Sequence, residues 1–335
     1  MAPKGKKPGL PVLAIDLGGT KIASAIVSDT GEILVRDYRL TLADEGVEPV
    51  MGRIFQSVEQ LLMDSRLTPS QLDSISIASA GTIDSERGLV SSSPNLPGWR
   101  DIPLRDRIKE RFGTVTFLLN DASAAALGEH RLGAGRETVN LIYITVSTGI
   151  GGGIIIDGGL YLGSSGSAGE IGHMTIDANG PECYCGNKGC LEVLASGTAI
   201  AREARKSIAA GESSALTAMV AGRTEAITAR EVSLAAQGGD PLALRVVAKA
   251  ANYLGVGMTN VVNIFNPDMI VIGGSVAKMG DRLLEPVRQV VAETAFGLSA
   301  QAVQIVPAGL GDDVGILGAA LYALEQKAAG NVDEG

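Results

Sequence analysis

The chain has 335 residues, 45% of them hydrophobic, and a formal net charge of −9. That length exceeds what one growing core usually serves, so two domains are expected. The acidic balance argues against a nucleic-acid partner, whose phosphates call for a basic face, and no uninterrupted apolar run reaches the ~18 residues of a membrane span. The basic cluster Lys4, Lys6 and Lys7 precedes the first apolar run and reads as a solvated tail over residues 1–10, with no secretory leader behind it. All three cysteines fall between 183 and 190, a spacing that suits a metal site in a reducing compartment rather than a disulfide framework, and the cytoplasm is the expected location.

The first predicted strand is Pro11–Ile15, followed by the polar turn Asp16-Leu17-Gly18-Gly19-Thr20. Strands are expected at Ile22–Val27 and Glu32–Tyr38, with Asp29-Thr30-Gly31 turning between them. Val50, Ile54, Val58, Leu61 and Leu62 recur at helical spacing within Val47–Met63. Two more strands, Ser74–Ala78 and Val115–Leu119, are expected with a Ser-, Pro- and Gly-rich loop between them. The order then repeats: a strand at Val139–Val146, a glycine turn at Ser147–Gly152, a strand at Gly153–Ile156, and a turn at Asp157-Gly158-Gly159. The echo, about 130 residues on, suggests two related αβ lobes facing each other across a cleft. Asp240-Pro241 opens a long helix marked by Leu244, Val247, Ala251, Leu254, Met258, Val261 and Phe265. Met269–Ile272 is a buried strand ending in Gly273-Gly274, and a last helix covers about 315–328. The expected division is a small domain over 11–119, completed by that last helix, and a large domain over 120–314.

Three glycine-bearing turns are candidate phosphate cradles. In Asp16-Leu17-Gly18-Gly19-Thr20-Lys21 the glycines would let backbone N–H groups approach phosphate oxygens, Thr20 and Lys21 add donors, and Asp16 could hold magnesium through water. An ordinary hairpin turn is the plain alternative. Thr148, Gly149, Gly151, Gly152 and Gly153 would form the second cradle, because so many glycines weaken a strand unless something must approach its backbone. Gly273 and Gly274 would admit a nucleotide base or ribose, or simply turn a strand into a helix. None of these fits the GxxxxGK[ST] loop or the GxGxxG fingerprint, which disfavours P-loop and dinucleotide enzymes.

His173, Cys183, Cys185 and Cys190 form His-x9-Cys-x-Cys-x4-Cys, one imidazole and three thiolates that suit tetrahedral zinc. A closed four-ligand site is structural, so zinc would shape the loop over 173–190. The alternative is buried or redox-active cysteines beside a chance histidine.

The residues Val146-x2-Gly149-Ile150-Gly151-x-Gly153-Ile154, then Gly163, Gly169, Gly172 and His173, resemble the signature of the bacterial ROK family (repressors, open reading frames and kinases), and most closely its glucokinases. The zinc cluster, Asp16–Thr20 and Ile272-Gly273-Gly274 fit the same family, and the similarity spans about Val12 to Leu324. The resemblance implies an actin-like, ribonuclease H-like ATPase fold, ATP with Mg2+ as phosphoryl donor, a hexose (glucose first) as acceptor, structural Zn2+, and a homodimer or homotetramer. It implies that Asp121 of Asn120-Asp121 is the catalytic base and that Asn95, Asn120, Glu170, His173 and Glu192 hold the sugar. Read without the resemblance, Asp121 is a helix N-cap and the two glutamates are solvated carboxylates. Related alternatives are an N-acetylmannosamine or N-acetylglucosamine kinase, a sugar-responsive repressor and a non-catalytic sugar-binding protein. Repressors of the family carry a DNA-binding domain ahead of the kinase-like part, and only about ten residues precede the first strand here, which favours a kinase.

Overall fold

The computed structural model describes residues 9–330; the lysine cluster at 4–7 lies outside them. The described residues divide into two units, one running through 133 and taking in 160–168 and the segment from 312 on, the other over 134–159 and 169–311. The first unit thus runs on through 133 rather than ending at 119, and it takes in the expected C-terminal helix.

In the first unit, β1 (Val12–Leu17), β2 (Lys21–Val27), β3 (Ile33–Leu40), β4 (Ser74–Ser79) and β8 (Thr116–Asn120) form a sheet in the order β3-β2-β1-β4-β8. β1 and β2 are antiparallel and pair Asp16 with Ala23, while β1 runs parallel to β4 and β4 to β8. Alternation along β1 separates two faces. Leu13, Ile15 and Leu17 enter a core with Val50, Met51, Ile54, Val58 and Leu61 of α1 (Val47–Ser65). The helix at Val314–Ala328 packs on the sheet too, and there the position of Gly315 lies against the carboxylate of Asp16. Between β4 and β8 the sequence suggests only a loop. The chain instead builds a small antiparallel sheet of β5 (Thr82–Asp84), β6 (Leu89–Ser92) and β7 (Arg100–Ile102), followed by α2 (Leu104–Phe112). Strands of three or four residues leave too little alternation to detect, and Ile83, Val90, Leu96, Trp99 and Leu104 are their buried anchors.

α3 (Asp121–Arg131) starts directly from β8. Its cap is Asn120, one residue earlier than expected: the Asn120 side chain accepts from Ala122 N and Ser123 N, which places Asp121 in the first turn. α3 and the 314–328 helix meet backbone to backbone. A Cβ on Gly318 would overlap the Ala124 carbonyl, and one on Gly128 would lie 2.9 Å from the Val314 carbonyl oxygen.

The second unit repeats the sheet. β9 (Leu141–Val146), β10 (Ile150–Ile156), β11 (Gly159–Leu160), β12 (Met269–Gly273) and β13 (Gln304–Pro307) stand in the order β11-β10-β9-β12-β13. Again the central strand is antiparallel to its successor and parallel to the next two in line. The duplication is the one that the repeated strand-and-turn pattern suggested, and the fold is the actin-like class that the family resemblance implied. Its helices are α4 (Leu191–Ala195), α5 (Gly197–Ala209), α6 (Ala215–Met219), α7 (Ala229–Gln237), α8 (Pro241–Phe265), α9 (Asp281–Thr294) and α10 (Gly297–Ala302). Asp240 caps α8 by accepting from Ala243 N at 2.9 Å. Leu244 is exposed, and Val246 and Ala250 are buried in the helix beside Val247 and Ala251. Among the described residues no helix is long and apolar enough to cross a membrane.

Candidate active site

The turn between β1 and β2 is closed by Gly18 N donating to Lys21 O at 2.9 Å and is held from β3's end by Thr41, whose hydroxyl donates to Gly18 O at 2.7 Å and whose N–H donates to Thr20 O. Thr20 is exposed at its tip. Asp16 stands at the end of β1, where burial pushes its carboxyl up to about 6 against the lowering pull of the Lys21 ammonium. Asn95 lies next to this turn: a Cβ on Gly19 would come within 2.5 Å of the Asn95 carbonyl oxygen. At the far end of the sheet, Asp121 Oδ1 accepts from Ala122 N at 2.9 Å. Asn120, expected as a sugar ligand, also donates through Nδ2 to Gly81 O at 3.0 Å, so both ends of its amide serve the protein's own backbone. Asp16, Gly18–Lys21, Asn95, Asn120 and Asp121 therefore all belong to the first unit.

The second unit holds the other candidates, with one revision. The turn is only Ser147–Gly149, and Gly151, Gly152 and Gly153 lie inside β10, paired with Thr145, Ile144 and Tyr143. Strand neighbours explain much of the glycine run. A Cβ on Gly152 would meet the Gly169 carbonyl at 2.7 Å and Ile171 at 2.8 Å, so it is this protein's own chain that approaches there. At Gly149 a Cβ would overlap Glu192 Oε2, which accepts from Ile150 N at 2.8 Å. Glu192 thus fixes the turn with one carboxylate oxygen. Ser147 and Thr148 are tied by their carbonyls to the start of α5, through Gly197 N at 2.7 Å and the Thr198 hydroxyl at 2.8 Å, while Thr148 itself is exposed. Gly273 is crowded by the Tyr143 hydroxyl. Gly274 has φ +88, a region that favours glycine, and abuts the Val146 carbonyl.

His173, Cys183, Cys185 and Cys190 come together with all four ligand atoms within 4.8 Å of one another. Cys183 Sγ lies 3.7 Å from His173 Nδ1, and Cys185 Sγ lies 3.7 Å from Cys190 Sγ. A zinc tetrahedron with Zn–S bonds of about 2.3 Å has edges of roughly 3.8 Å, so the donor set and its spacing fit the ion. Nδ1 faces the thiols, which leaves Nε2 of His173 on the other side. There it meets the Tyr184 hydroxyl at 3.0 Å and Glu170 Oε2 at 3.9 Å. Burial raises the Glu170 carboxyl, His173 opposes that, and the nearby Glu192 carboxylate adds to it. The sequence pattern alone does not mark Tyr184, although its place between two candidate ligand cysteines is a signal. Gly315 carries no sequence mark beyond the small-residue spacing Gly315-x2-Gly318-Ala319.

A model of the ROK family matches residues 12–326. The chain belongs to the ROK family. Its ROK relatives include a glucokinase of Thermotoga maritima, 38% identical over 319 residues, with 95% of this chain and 99% of that one covered. A xylose repressor of Caldicellulosiruptor bescii is 33% identical over 285 residues, 85% of this chain and 71% of the repressor. Among solved structures, a ROK family glucokinase from Streptomyces griseus in complex with glucose and AMPPNP shares 34% identity and a TM-score of 0.83, with 94% of this chain and 99% of that one covered.

Proposed function

We propose that this ROK chain is an ATP-dependent kinase acting on the 6-hydroxyl of a hexose, with glucose as the substrate. The observation that carries the reading is the whole-length match to a glucokinase solved with glucose and a nucleotide analogue. Asp121 supports it, being a carboxylate held in the first turn of α3, directly after the end of β8. In the proposed reaction the sugar oxygen attacks the γ-phosphorus, the bond from that phosphorus to the ADP oxygen breaks, and Asp121 takes the hydroxyl proton. Asn95, Glu170, His173 and Glu192 are assigned to the sugar hydroxyls, with carboxylates accepting and the amide exchanging hydrogen bonds. Asn120 is assigned to hold Asp121 and Gly81 in place, and sugar contact is left to its remaining amide hydrogen.

The turns at Gly18–Lys21 and Ser147–Gly149 are assigned to the triphosphate, and Gly273-Gly274 to the nucleoside. Asp16 would hold magnesium through water, and the ion would neutralise charge on the phosphates. Zinc on His173 and the three cysteines would fix the 173–190 loop, leaving His173 Nε2 for the sugar once Tyr184 yields it. A cytoplasmic homodimer or homotetramer completes the proposal, with light scattering as its check.

The xylose repressors among the relatives support a second reading, a sugar-responsive regulator. A coupled assay with ATP or polyphosphate against glucose, mannose, N-acetylmannosamine and N-acetylglucosamine separates the two. Turnover with glucose and ATP is expected; sugar binding without turnover of any of them would leave the regulator reading standing.

A further inference from the structure

Gly18 and Gly19 look equivalent in sequence, and both would ordinarily be given to the phosphates. Their surroundings differ. A Cβ on Gly18 would make an ordinary 3.4 Å contact with Lys21 O. On Gly19 it would stand 2.5 Å from the Asn95 carbonyl oxygen and 2.9 Å from the Asn95 Cβ. Gly19 is not among the residues with positive φ, so its backbone does not require glycine; the space does.

Asn95 has little freedom to retreat. Its neighbours Leu96 and Trp99 are buried in the first unit's core, Ser93 O accepts from Leu96 N, and Leu96 O accepts from Trp99 N. On the other side Gly81, at φ +115, lies so close to the Ser92 carbonyl and Ser93 that a Cβ there would overlap them, and its own carbonyl is held by Asn120. The exposed Asn95 side chain is thus presented by a segment clamped at both ends, with its backbone resting on Gly19.

We infer that Gly19 is a positioning residue for the hexose: it seats Asn95, and its lack of a side chain serves the sugar rather than the phosphates. The inference rests on the assignment of Asn95 to the sugar. An alanine at 19 must push the Asn95 backbone by roughly 1 Å, and misplacement on that scale can cost on the order of 10²-fold.

The test is a kinetic split. Gly19→Ala is expected to raise KM for glucose by one to two orders of magnitude and to leave KM for MgATP near its wild-type value, whereas Gly18→Ala acts on MgATP alone. In an Asn95→Ala background, Gly19→Ala should add little more, because its route to the sugar is already gone. A rise in KM for MgATP with glucose unaffected, or full additivity with Asn95→Ala, would overturn the inference. If Gly19→Ala does not fold, hydrogen exchange on the wild-type chain decides: glucose alone should protect both 93–96 and Gly19, and protection that stops at 93–96 counts against it. Trp99, the sole tryptophan, sits in the same segment, and its fluorescence is expected to change with glucose in the absence of nucleotide. A wild-type chain that neither binds nor phosphorylates a hexose sinks the kinase reading and this inference together, while normal turnover with an indifferent Gly19→Ala sinks this inference alone.

Discussion

The two sheets are copies, and the turns at their centres have drifted apart in instructive ways. In the first, the strand before the turn carries Asp16 one residue from its end; in the second, the corresponding residue is Thr145. The first turn is tied to its own sheet edge through Thr41, whereas the second depends on distant groups, the Glu192 carboxylate and the start of α5. The same hairpin carries a carboxylate in one copy and a scaffold of side-chain props in the other. The first unit should therefore carry the chemistry, and the second should carry shape.

The largest expected effect tests the first half of that statement. Asp121→Asn should lower turnover by 10²–10⁴-fold, the usual value of a general base, while leaving fold and glucose affinity in place, since the amide can still accept from Ala122 N. Activity above about a tenth of wild type would remove Asp121 from that role.

Next comes the second unit's scaffold. Purified protein should contain one zinc per chain by metal analysis, and Cys185→Ser should release it. Glucose binding would then weaken on the order of 10²-fold through lost geometry at Glu170, His173 and Glu192, with binding of a nucleotide analogue retained. Paired titrations read both; metal-free protein with full glucose affinity would confine the cysteines to packing or redox roles.

A smaller effect follows from the burial of Asp16. Burial pushes its carboxyl up to about 6 from the ordinary 3.8 of an aspartate, so the native state holds this proton more tightly than the unfolded chain. The stability it contributes is present below pH 3.8 and is lost as pH rises to 6. Asp16→Asn should flatten that part of the stability–pH curve and remove the proposed magnesium site. In the wild type, kcat/KM for MgATP should fall as pH drops through about 6, by up to tenfold per unit. An unchanged profile from pH 7 to 5 would show that Asp16 does not titrate there.

The smallest expected change is at the position matching Asp16 in the other copy. Thr145→Val should move KM for MgATP by no more than a few fold, about what one neutral hydrogen bond contributes. A loss comparable with Asp16→Asn would mean that the two turns share the charge work after all.

Much of this was legible before the fold was known. Asp240-Pro241, the helix after it, the central strands and the repeated hairpins carry strong local signals, and the four metal-ligand candidates sit within one short stretch of sequence. Other features were hidden for identifiable reasons. The three-stranded sheet at 82–102 is built of strands too short for periodicity. The glycines at 149 and 152 answer to Glu192 and Gly169, groups that no local window connects to them. Asn120 and Asp121 are both good caps, and only the hydrogen bonds reveal that the first does the capping. Tyr184 needed the ring orientation of His173 before it became visible.

The contact between α3 and the 314–328 helix bears on how the protein is made. Gly128 and Gly318 let the two helices touch backbone to backbone, and Arg131 reaches Glu325 across 194 positions of chain. A ribosome delivers β1 to β8 first, yet one helix that lies against their sheet is not translated until the whole second unit has emerged. During that interval the nascent first unit exposes a face lined by small residues such as Ala14 and Ala25, which offers water little apolar area to shun. The second unit, complete once residue 311 has emerged, can close ahead of the unit whose last helix follows it.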